Sequence, residues 1–136
     1  MSKKEALLKA AEDKVRLGGY DNFSFRELAS EVGINHANGK NPINEYTQLF
    51  RNALLKDNKM CLCGLLGAQG ESLPDKVRQE VQRFFEKNLA WLSEAHTANG
   101  ESNPKQAAIT TISLLEGAMM ISKALNDHSH FELATQ

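Results

Sequence analysis

A chain of 136 residues is the size of one ordinary domain and can bury a real core. With 41% hydrophobic and 24% charged residues it is globular rather than disordered. A formal net charge of −1 excludes the overall basicity that advertises a general nucleic-acid binder.

The charge is uneven, because Lys3, Lys4, Lys9, Lys14, Arg16 and Arg26 crowd the first part of the chain. That distribution suits a protein that touches phosphate with one end. With Glu5, Glu12 and Asp13 interspersed, it equally suits a solvated helix face. Only Cys61 and Cys63 are present, too few and too close for a disulfide framework. No apolar run approaches a membrane span, and the opening MSKKEALLKAAED reads as an amphipathic helix rather than a secretory signal. The expectation is a cytoplasmic protein that makes no membrane contact.

Helix starts are written clearly. Ser2-Lys3-Lys4-Glu5 is a capping box, and Leu7, Leu8, Ala11 and Val15 follow at helical period. Gly18-Gly19 stops that helix. Ser24-Phe25-Arg26-Glu27 is a second capping box, stapled by Phe23 and Leu28, and predicts a short helix from about Phe25 to Val32. Asn41-Pro42 opens the next helix, with Ile43, Tyr46, Phe50, Ala53 and Leu54 on its apolar face.

Met60 to Gly67 is almost wholly apolar and predicts a buried segment. Ser72-Leu73-Pro74-Asp75 reads as the cap of a long helix striped by Val77, Val81, Phe84, Phe85, Leu89 and Leu92. A hydrophilic connector is expected from His96 to Ser102, then an Asn103-Pro104 cap and a helix apolar on two sides. A helix of that kind is sandwiched, here between its own core and a second body. Ser129 begins a last helix that the chain leaves unfinished. The fold class read from these signals is all-α.

The run Leu7-Leu8-x-Ala10-Ala11, then Gly19-Tyr20, then Ser24-Phe25-Arg26-Glu27-Leu28-Ala29 and Val32-Gly33-Ile34, resembles the DNA-binding N-terminus of TetR/AcrR-type regulators. The resemblance implies a helix-turn-helix head over 1–35 and a helical ligand-binding and dimerisation body over 42–136. It implies a homodimer on double-stranded operator DNA, controlled by a small apolar or amphipathic effector. Its DNA-facing residues would be Lys4, Ser24, Arg26, Asn35 and His36. No nucleophile–base pair, carboxylate dyad or phosphate-cradling glycine loop points to an enzyme, and no cofactor is expected.

One part of the pattern is missing. After Ile34 the family continues through a small turn into a base-reading helix, whereas Asn35 to Asn41 is Asn- and Gly-rich and ends against a proline. We expect the encoded protein to carry a segment between Ile34 and the Asn41-Pro42 cap that this sequence does not show. The check is a Cα–Cα separation near Asn35 far above the ~3.8 Å of a trans peptide.

In the body, Met60, Cys61, Cys63, Phe84, Trp91, Leu115, Glu116 and Met119 are expected to line a ligand pocket. Leu114, Gly117, Ala118, Ile121 and Leu125 are expected at a dimer contact. Glu116 has two readings: an outward residue at the helix edge, or the single orienting group of an apolar pocket. The cysteines have three. Four-ligand zinc binding lacks nearby partners, a thiol sensor would use a helix-start thiolate, and buried packing is the default. No metal site is expected, and His36, His96, His128 and His130 read as exposed. Two further functions stay open: a dimeric helical ligand-binding module without DNA recognition, and a thiol-based redox protein centred on Cys61 and Cys63.

Overall fold

A computed structural model describes residues 41–58 and 60–136, and among them every regular element is helical. The expected helix-turn-helix head, with Lys4, Ser24, Arg26, Asn35 and His36, lies outside the described residues. So does the expected chain break near Asn35.

Helix α1 spans Pro42–Asp57. Asn41 starts it, its side-chain oxygen accepting from the amides of Ile43 and Asn44 at 3.1 and 3.3 Å. Pro42 at the first position gives up an amide that would have no partner anyway. Asn58 ends the helix in the left-handed region at φ 51°, a conformation that asparagine tolerates better than most residues. Helix α2, Leu62–Gly67, is the short apolar segment anticipated from sequence. Cys61 and Cys63 are both buried free thiols there, while Leu65 faces outward.

Two boundaries differ from the sequence reading. Ser72 does not cap the long helix. It closes a 3-10 turn at Gly70–Ser72, and its hydroxyl turns back to donate to the Gln69 carbonyl at 2.7 Å. Helix α3 therefore starts at Asp75, after Pro74, with no side-chain cap. At its other end α3 runs to Ala98 and absorbs His96, which is buried rather than exposed. The reason is tertiary. His96 Nε2 meets the Thr111 hydroxyl at 2.9 Å on the next helix, a partner that hydrophilicity along the chain does not reveal.

Helix α4, Pro104–Leu125, begins as expected, with Asn103 Oδ1 accepting from the Gln106 amide. It is long and apolar enough to cross a membrane by length and composition, against the sequence reading that no run is. A third of its apolar window is buried inside this fold, however, and Glu116 and Lys123 interrupt it. Helix α5, Ser129–Ala134, is pinned by buried Phe131 and by a 2.6 Å ion pair from Arg51 to Glu132.

The core lies where α3 and α4 pack along each other, with α1, α2 and α5 laid against them. Phe50, Leu54, Val77, Phe84, Leu92 and Met119 fill it. Each buries apolar surface worth roughly 1.5–3 kcal/mol. Asn88, His96 and Ser122 are the buried polar residues among those described. Asn88 accepts from the Tyr46 hydroxyl at 2.7 Å and donates to the Phe84 carbonyl at 2.7 Å, so both ends of its amide are satisfied.

Candidate functional site

Beside this core runs a groove of about 750 Å³, open to solvent on one side. Helical geometry decides its walls. On α3, Val77, Phe84, Leu92 and Ala95 point into the core, and the stripe one residue further round, Phe85 and Leu89, faces the groove. The two phenylalanines meet edge to face with centroids 5.2 Å apart, so buried Phe84 backs the ring of Phe85. On α4 the opposing wall is Ile109, Ile112, Ser113 and Glu116, spaced at one helical face. Leu73 and the glycines Gly64 and Gly67 of α2 close one end.

Glu116 is the chemically unusual member of this lining. Its stem borders the groove, but both carboxyl oxygens are shut off from water and find no hydrogen-bond partner among the described residues. Burial raises its pKa from the ordinary 4.5 to about 7. The Cys61 thiol pulls weakly the other way, approaching the carboxyl without completing a hydrogen bond. The tip rests against Gly64, and a Cβ on that glycine would land on Glu116 Oε2. Three further charged residues line the groove: Glu71, Glu86 and Arg78, the last already paired with Asp75 at 3.0 Å.

Of the residues expected to hold a ligand, Glu116 alone lines this groove. Cys61, Cys63, Phe84, Leu115 and Met119 are core residues. The Met119 sulfur accepts from the Cys61 amide at 3.3 Å. Met60 is half-buried against the core, and Trp91 stacks on Tyr46 at 5.9 Å. Burial pushes the Cys61 thiol well above its ordinary range and the Cys63 thiol to about 12, both helped by the neighbouring Glu116 carboxyl. Neither cysteine has the lowered pKa of a reactive thiolate.

Phe85, Leu89, Ile109 and Ile112 are among the groove residues that sequence reasoning did not assign. Phe85 and Leu89 were legible as apolar positions, but period alone cannot divide one wide stripe between core and groove.

The expected dimer contacts separate in the same way. Leu114, Ile121 and Leu125 are exposed along one face of α4, with Gly117 half-buried beside them. Ala118, at 6% exposure, is turned into the chain's own core.

The solved structure of a TetR transcriptional regulator from Legionella pneumophila is similar to this chain at a TM-score of 0.58 and 24% identity. The match covers 98% of this chain and 94% of that one. The fold is TetR-like. No protein-family model matches the chain, and no curated protein matches it in sequence.

Proposed function

We propose that this chain is a transcriptional regulator of the TetR type. Its 1–35 head would contact operator DNA, and its 42–136 body would pair two copies and hold a small effector in the groove. The observation that carries this reading is the near end-to-end likeness to a TetR regulator, joined to an apolar groove whose lining includes a partnerless buried carboxyl. The head motif at Leu7 to Ile34 supports the DNA half of the reading. Exposed Leu114, Ile121 and Leu125 support the dimer, since apolar side chains aligned on one helix face favour a partner body.

The mechanism is a population shift. An effector that fits the groove better in one arrangement of the body favours the dimer geometry with that arrangement, and so changes the spacing of the two heads.

A second reading has its own observation. The Asn- and Gly-rich stretch Asn35 to Asn41 stands where a base-reading helix belongs, which favours a dimeric ligand-binding module that does not recognise sequence. Selection from random duplex DNA by the full chain separates the two. Enrichment of a two-fold symmetric site is the expected result. Binding that is indifferent to sequence and collapses with salt is phosphate-driven and would favour the module.

A further inference from the structure

The groove's chemistry goes further than "apolar". We infer that it takes an amphipathic organic cation, an apolar body carrying a protonated amine that Glu116 pairs with. This rests on the reading of the groove as an effector site.

Three observations point the same way. The first is the state of Glu116, whose carboxyl oxygens are buried and, among the described residues, have only the poorly placed Cys61 thiol nearby and no N–H or O–H partner. Buried polar groups in folded proteins almost always have partners, so an orphan bordering an open groove marks a place for an arriving donor. The second is the bare surface of α2 beside it. Gly64 leaves room for the carboxyl tip, which there has only the weakly donating Cys61 thiol beside it. A rotation of the Glu116 side chain brings the carboxylate into the groove, where it exchanges a burial relieved only by a thiol for a charge-assisted hydrogen bond.

The third is the sign of the charge around it. Three carboxylates, Glu71, Glu86 and Glu116, line the groove against one cation, Arg78, whose Nη2 pairs with Asp75 while its Nε has no partner among the described residues. An anionic ligand would meet this excess of carboxylates, whereas a cation is attracted by it. The apolar lining completes the fit. Phe85 offers a ring face or edge to the ligand, and Leu89, Ile109 and Ile112 take its hydrocarbon.

The test uses one apolar body with three head groups: 4-phenylbutylamine, 4-phenylbutanol and 4-phenylbutyrate, measured by titration calorimetry on the full chain. The expected order is amine over alcohol over carboxylate, with the amine about tenfold or more ahead, as a charged hydrogen bond warrants. Glu116→Gln should bring the amine down to the level of the alcohol, with helical content checked by circular dichroism. Ile109→Trp, which fills the groove from its exposed side, should weaken all three alike.

Tighter binding of the carboxylate, or an amine preference that survives Glu116→Gln, would overturn the inference while leaving the groove an effector site. Failure of all three compounds to bind overturns both the cation assignment and the groove as effector site. DNA selection, measured separately, tells whether the regulator reading falls with them.

Discussion

The carboxyl group of Glu116 occupies the space that a side chain at Gly64 would need. A Cβ there would meet Glu116 Oε2 at a separation that no folded protein tolerates. The neighbour in question is the free end of a flexible side chain, so it can yield. Gly64→Ala should therefore fold, evicting the carboxyl toward the groove. The lost burial is offset in part by the roughly 0.5–1 kcal/mol that alanine gains over glycine in a helix. The diagnostic is the carboxyl pKa, which should fall from about 7 toward 4.5 in a carbon-detected NMR titration of Glu116. An unchanged pKa would mean that the carboxyl had not moved.

The same carboxyl sets a pH dependence of stability. Its folded value of about 7 lies above the ordinary 4.5, so between those values the folded chain holds a proton that the unfolded chain has released. The stability linked to this group is complete below about pH 4.5, declines as pH rises toward 7, and is flat beyond. Glu116→Gln removes the slope. In urea denaturation, the variant should gain on the parent through this window by on the order of 1–3 kcal/mol and then hold a constant lead. Parallel curves from pH 5 to 8 would place the carboxyl in water.

Asn88 is satisfied at both ends only because Tyr46 donates to it. Tyr46→Phe keeps the ring stack on Trp91 but leaves Asn88 Oδ1 buried without a donor, at a cost of about 1–3 kcal/mol. Chemical denaturation would measure it, and a neutral result would mean that water replaces the hydroxyl.

Association and folding can be separated on α4. Ile121→Glu places a charge on the exposed face and should give a folded monomer in sedimentation, with unchanged helical circular dichroism. Ala118→Glu instead puts a charge into the core and should unfold the chain or cost several kcal/mol. If Ile121→Glu still forms a dimer, the interface lies elsewhere.

Sequence by itself determined the all-α class and most of the helix starts, because the signals for them are local. Asn41-Pro42 and Asn103-Pro104 act within one helical turn, and both caps are made as written. It also singled out Glu116 as a charged residue in the middle of an apolar helix, favouring an outward position at the helix edge over the orienting group of a pocket. What it could not do was divide neighbouring apolar positions between destinations. Phe84 and Phe85 are equally hydrophobic and one residue apart, yet a helix turns successive side chains by about 100°, so one enters the core and the other the groove. Ala118 and Ile121 divide in the same way between core and open face. His96 and Ser72 were misplaced because their partners, Thr111 across the fold and Gln69 behind the turn, are chosen by the path of the chain in space. The seat that Gly64 leaves for the Glu116 carboxyl joins two helices far apart in sequence, and only their packing brings the empty position and the charge together.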